Sequence, residues 1–187
     1  MNKNTLNKIE YSITKPNFIT RFYFNIIYKK IIKLGKFNEK GNILDFGCGY
    51  GYLKKKNISA NNPSKIINYD IVEELTEVKN IFNLEFDKIV FCQSLYLIDK
   101  KKIEELLNNL NEKNPNLLII VVISKQLIIN KILSFLLFHW KHYKGVKTSP
   151  NDEEDILKKY CTLQNEKNLI LSKLLIFKFK TNTNKLN

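Results

Sequence analysis

Four strand-like residues, Ile43-Leu44-Asp45-Phe46, run straight into Gly47-Cys48-Gly49-Tyr50-Gly51, a turn that takes three of the chain's six glycines. Glycine at every second position opens left-handed backbone conformations and removes side chains that would hold a ligand away. A strand ending in such a turn just before a helix brings backbone N–H groups and the helix terminus close to a ligand, which marks a nucleotide or nucleoside site. Two well-known phosphate loops are excluded. No GxxxxGK[ST] run exists, and glycines at 47, 49 and 51 followed by Leu53 and Lys54 do not match GxGxxG.

The elements that must hold this turn are legible as hydrophobic patterns. From Ile19 to Leu34, Ile19, Phe22, Tyr23, Ile26, Ile27, Ile31 and Leu34 recur at helical spacing opposite Arg21, Asn25, Lys29 and Lys33, which predicts an amphipathic helix. The near-continuous apolar run 42–46 suits a buried parallel strand. Further strands are expected over 65–70, 86–92 and 117–123, with a helix over 101–111 carrying Ile103, Leu106, Leu107 and Leu110 on one face. Strands alternating with helices at this pace argue an α/β fold. The last third reads as a helix over 126–143, a turn at Ser149-Pro150-Asn151, a helix over 152–160 with acids first and lysines last, and a final strand over 171–180.

Composition bounds the function. The 187 residues are enough for one sizeable core, so we expect a single domain. A net charge of +13 favours anionic partners. Arg21 is the only arginine, however, and nucleic-acid grooves lean on arginine for bidentate and stacking contacts, so nucleic acid is not the expected partner. Lys, Asn and Ile abound throughout, as in proteins of AT-rich genomes. Cys48, Cys92 and Cys161 are far apart, without a CxxC pair, and suggest neither a disulfide framework nor a metal site; a reducing cytoplasm fits. The N-terminus lacks a signal-peptide hydrophobic stretch, and the apolar segment 127–140 is interrupted by Asn130 and Lys131 and falls short of the ~20 residues that span a bilayer.

The wording ILDFGCGYGYL, an acid followed by glycines at every second position, resembles the first motif of the class I S-adenosylmethionine (SAM)-dependent methyltransferases, and of their small-molecule branch in particular. Asp70, ending INYD, stands where that family places an acid on the cofactor ribose, and its distance from the glycines agrees with the ~20-residue offset of a βαβ unit. FDKIVFCQSLYLID is similar to the family's fourth strand and following loop. Together these cover about 42–123.

The resemblance implies a Rossmann-like three-layer α/β sandwich with a mostly parallel sheet. It divides the domain into a helical cap (1–40), a cofactor-binding half (41–123) and lid helices with a C-terminal strand (124–187). It implies that Gly47, Cys48, Gly49 and Gly51 hold the methionine part of SAM, that Asp45 supports its ammonium, and that Asp70 fixes the ribose. Gln93, Ser94 and Tyr96 would lie near the sulfonium and the acceptor. His139 and His142, in FHWKHYKG, are candidate general bases beside Tyr96.

Two departures stand out. Only fifteen residues separate Asp70 from Phe86, where the family fits a helix, a strand and an acid that reads the adenine; here the strand is abbreviated or absent. At the C-terminus only SKLLIFKFK reads as a strand, with NLIL a poor candidate for its antiparallel partner, so a trimmed sheet is expected. The [DNS]PP[YF] run of amino-methylating nucleic-acid enzymes is missing, as are a Pro-Cys nucleophile and a catechol-type carboxylate cluster for magnesium. What remains is methylation of O, N or C on a small-molecule or lipid-like acceptor, with contact to an anionic membrane surface suggested by the basic charge and the apolar helices at 18–28 and 127–140. The alternatives are a catalytically silent SAM-binding module acting with a partner, and a basic RNA-binding or RNA-modifying protein. The sequence leaves the oligomeric state open.

Overall fold

The computed structural model describes residues 18–125 and 146–181. The expected helix at 126–143, with His139 and His142, lies outside the described residues. Helix α1 (Phe18–Leu34) leads into strand β1 (Asn42–Phe46), followed by α2 (Tyr52–Ser59) and β2 (Lys65–Tyr69). After two short 3-10 turns come β3 (Lys88–Cys92), a third such turn (Leu95–Leu97), α3 (Lys100–Lys113) and β4 (Leu118–Ser124). Helix α4 (Pro150–Tyr160) runs directly into β5 (Cys161–Asn168), and β6 (Ser172–Phe179) closes the sheet.

The six strands lie in the order β2-β1-β3-β4-β6-β5; β2, β1, β3 and β4 are parallel, and β6 runs antiparallel to both its neighbours, β4 and β5. Helices cover both faces, which explains why β4 is buried along its whole middle and reads as unbroken LIIVVI. Alternation splits its side chains: Ile119, Val121 and Ile123 join the layer under α3 and α4, while Ile120 and Val122 join Ile27, Ile31 and Phe37 under α1 and α2.

The link from α1 into the sheet is built without slack. A Cβ at Gly35 would lie 2.6 Å from Ile120 Cδ1, so only glycine lets the helix end approach the sheet. Lys88, at the start of β3 and 8% exposed, donates from Nζ to the carbonyls of Gly35 and Lys36, both at 2.8 Å, and so caps the C-terminus of α1. Helix α4 begins two residues earlier than its periodicity suggests. Ser149 is its N-cap, accepting from the Asp152 amide at 3.2 Å, and Pro150 sits in the first turn, where no N–H is needed.

The trimming of the sheet is at one edge only. No strand forms between Asp70 and Phe86; the segment makes two 3-10 turns, Glu73–Leu75 and Ile81–Asn83, with Ile81 buried. Glu77 takes the place of a strand partner there. Its amide donates to Asn68 O at 3.0 Å and its carboxylate accepts from Asn68 N at 3.1 Å, while Lys54 of α2 pairs with the same carboxylate. At the other edge the antiparallel pair is complete, which corrects the expectation of a single strand. The partner of β6 is the polar CTLQNEKN, and NLIL contributes the turn, closed by Leu169 N donating to Ser172 O at 2.9 Å.

Candidate functional site

The glycine turn forms at the C-terminal end of β1, and all three glycines adopt left-handed conformations: Gly47 at φ 76°, Gly49 at 51° and Gly51 at 65°. Gly47 also needs the space. A Cβ there would lie 2.5 Å from Ser94 Cβ. The turn is pinned to β2 by Gly47 N and Cys48 N, which both donate to Tyr69 O at 2.8 and 3.1 Å. Gly49 N then donates to Asp70 Oδ2 at 2.9 Å, and Val72 N to Asp70 Oδ1 at 3.1 Å. Asp70 thus joins the turn to the end of β2, and each of its carboxylate oxygens keeps further acceptor capacity.

Asp45, one residue before the end of β1, is 3% exposed, and its carboxylate has no hydrogen-bond partner among the described residues. Burial raises its carboxyl to about 7, and the nearby charge of Asp70 adds to the rise. Tyr28 of α1, Cys48 and Cys92 are close enough to feel that charge; burial pushes the phenol and both thiols far above their usual ranges. A buried carboxylate without a cation is costly, and one that is retained beside a ligand-shaped turn suits a cationic ligand.

On the far side of the turn, Ser94 donates from Oγ to Phe46 O at 2.8 Å and so ties the end of β1 to the end of β3. Gln93 holds φ 54°, a conformation that non-glycine residues seldom adopt, with its amide donating to Val122 O at 3.1 Å. Tyr23 of α1 donates its hydroxyl to Ser172 Oγ at 2.9 Å, beside Gln93. Asp45, Gly47, Cys48, Gly49, Gly51, Asp70, Gln93 and Ser94 are therefore brought together at the C-terminal ends of β1, β2 and β3. In open parallel sheets this is where ligands bind.

Tyr96 lies one turn beyond, in the 3-10 segment Leu95–Leu97. Its carbonyl accepts from Lys147 N and Thr148 N at 2.8 and 3.2 Å, and Thr148 Oγ1 donates to Ile98 O at 2.6 Å. These bonds lay the start of α4 over the Tyr96 turn. Its phenol is pushed up to about 12, first by burial and then by the charge of Glu153.

Sequence reading missed Glu153. It is 2% exposed in the first turn of α4, its carboxylate has no partner among the described residues, and burial raises it to about 8. The signal was available: Glu153 sits three and four residues before the buried Ile156 and Leu157, on the same face. Ile71 was missed as well. It follows Asp70 directly and is 63% exposed, an apolar side chain at the rim of the site.

No family model matches the chain, and neither does any curated protein sequence. Solved structures do match. The PH0226 protein from Pyrococcus horikoshii OT3 superposes with a TM-score of 0.63 at 14% identity, over 90% of this chain and 94% of that one. Human N-acetylserotonin methyltransferase in complex with SAM gives 0.55 at 18% identity, over 75% of this chain and 48% of the human one. Magnesium protoporphyrin IX methyltransferase (ChlM) from Synechocystis PCC 6803, with bound SAH, gives 0.52 at 10% identity and covers 89% of each chain.

The fold is that of the class I methyltransferases. Within it, this methyltransferase-fold chain spans about half the length of the human enzyme but nearly all of the other two. Among the described residues no helix is long and apolar enough to cross a membrane, and no group of three His, Cys, Asp or Glu could hold a metal ion.

Proposed function

We propose that the chain binds SAM and transfers its methyl group to an O, N or C atom of a small-molecule or lipid-like acceptor. The observation that carries this reading is Asp45: a buried carboxylate, unpartnered among the described residues, next to a turn of three left-handed glycines and within the field of a second carboxylate. Two carboxylate acceptors beside the turn fit a ligand bearing both cationic groups and hydroxyls. The neighbours NcsB1 and human N-acetylserotonin methyltransferase were solved with SAH and SAM respectively, which supports the cofactor assignment.

SAM supplies a methyl on a sulfonium that is already an activated electrophile, so the protein's work is alignment and exclusion of water. Asp45 would hold the ammonium, directly or through water. The turn of Gly47, Cys48, Gly49 and Gly51 would hold the methionine chain, with Asp70 accepting from the ribose hydroxyls and Ile71 lying against the base. Gln93 and Ser94 would line the sulfonium side, and Tyr96 would face the acceptor. Glu153, whose charge reaches Tyr96, would accept the acceptor's proton. His139 and His142 remain candidates for the same role.

NcsB1, solved with SAH and 1,4-dihydroxy-2-naphthoic acid, supports a small-molecule acceptor. A second reading rests on the missing strand after β2: a SAM-binding module that turns over only with a partner chain. Incubation of the purified chain with SAM and fractionated small-molecule and lipid extracts separates the two. Formation of SAH with an acceptor gaining one methyl supports the enzyme. Cofactor binding with no SAH formed in any fraction favours the module.

A further inference from the structure

The two helical layers differ sharply in charge. Helices α1 and α2, on one face of the sheet, carry seven basic residues and no acidic one. Helices α3 and α4, on the other face, carry six basic and seven acidic residues. A lysine-rich composition alone would spread its charge evenly; here the acids are segregated. Pairing follows the same division except at Lys54 of α2, which meets Glu77. Lys100, Lys158 and Lys159 of the α3 and α4 face meet Asp152, Glu154 and Glu104. On the other face Lys29, Lys33 and Lys55 have no acidic partner among the described residues.

The lysines of that face are interleaved with exposed apolar side chains. Phe22, Lys29 and Lys33 share one exposed stripe of α1, Phe22 being 60% exposed. Tyr52, Lys55 and Ile58 follow at three-residue spacing along α2, Ile58 being 63% exposed, and Lys55 Nζ lies 5.2 Å from the centroid of the Tyr52 ring. Phe22 precedes Tyr23, whose hydroxyl reaches Ser172 beside Gln93, so the stripe runs up to the site end of the sheet.

We infer that the α1 and α2 face is a docking surface for an anionic lipid bilayer. Lysines spaced along a surface attract anionic headgroups, and Phe22 and Ile58 supply apolar contact at the acyl boundary. Nucleic acid fits less well, because the face carries one arginine, Arg21, and an aliphatic Ile58 that cannot stack on a base. The inference does not depend on cofactor binding or turnover.

The test is co-sedimentation of the full chain with vesicles of phosphatidylcholine, with and without phosphatidylglycerol. We expect partition to the anionic vesicles alone, falling as salt is added. The pair Lys29→Glu and Lys33→Glu should weaken it by about 25-fold or more, about fivefold for each lysine. The pair Lys101→Glu and Lys102→Glu, on α3 with the same net change, should leave it within about twofold. Phe22→Ser with Ile58→Ser should reduce it further at high salt, where charge is screened. No partition at low salt, or equal loss from the two lysine pairs, would overturn the inference. So would release of the chain from vesicles by polyuridylate at matched phosphate, which would give the face to nucleic acid.

Discussion

The amide of Gly49 donates to Asp70 Oδ2 at 2.9 Å across 21 residues of chain, so the acid we propose for the ribose also holds the glycine turn in shape. Removing it should act twice. Asp70→Ala is expected to weaken SAM binding by roughly 1–3 kcal/mol, the range for losing charge-assisted hydrogen bonds, and to loosen the turn. Asp70→Asn, which keeps one acceptor oxygen, should lose less. Equal binding by parent and both variants in equilibrium dialysis would remove Asp70 from the site.

Asp45 gives a pH dependence of known sign. Its folded carboxyl at about 7 stands above the unfolded value of about 3.9, so the folded state prefers the proton. The cofactor-free protein should be most favoured by this group below pH ~4 and lose that contribution as pH rises through 7. Binding of a cationic ligand favours the ionised form, so affinity should rise from pH 6 to 8 with uptake of protons by the buffer. Calorimetry in buffers of different ionisation heat reads that proton release. Asp45→Asn should abolish it, lower the affinity, and make the cofactor-free protein more stable at pH 8.

Gly47 is constrained by both conformation and space, and the two can be separated. Gly47→Ala should cost roughly 1–3 kcal/mol through its left-handed backbone alone, plus the clash with Ser94 Cβ. In the Ser94→Gly background the clash disappears and only the backbone cost remains. A double-mutant cycle in urea should therefore show favourable coupling; strict additivity would mean that the two residues do not meet.

Glu153 predicts the shape of the rate profile. Acting as base with its carboxyl at about 8, it makes methyl transfer to a hydroxyl acceptor rise with pH through that value. Glu153→Gln should lower the rate and flatten the rise while leaving SAM affinity unchanged. A parent profile already flat between pH 6 and 9 would exclude this role.

The parts of the fold that sequence revealed are those whose burial is one-dimensional. β1 and β4 are covered on both faces and read as apolar runs; α1 and α3 bury one stripe and read as periodic. β5 was hidden because its order comes from pairing with β6, not from its own composition: Thr162 to Asn168 is mostly exposed and polar, and only Cys161 is buried. The chain between Asp70 and Phe86 was ambiguous for a related reason. A glutamate side chain, Glu77, closes the edge of β2 there, and nothing in the spacing distinguishes such a staple from a strand. At the site, glycines and acids were legible because their types are restrictive. Glu153, within the run DEED, reads only as one of the acids of a helix's first turn; its burial follows from α4 lying over the Tyr96 turn.

The central claim is that the turn at Gly47 to Gly51, with Asp45 and Asp70, is a SAM site. A calorimetric titration of the purified chain with SAM and, separately, SAH tests it most directly. We predict micromolar binding, about −8 kcal/mol, lost in Gly49→Val while the circular dichroism spectrum is kept. No heat up to millimolar ligand, or undiminished binding by Gly49→Val, would contradict it.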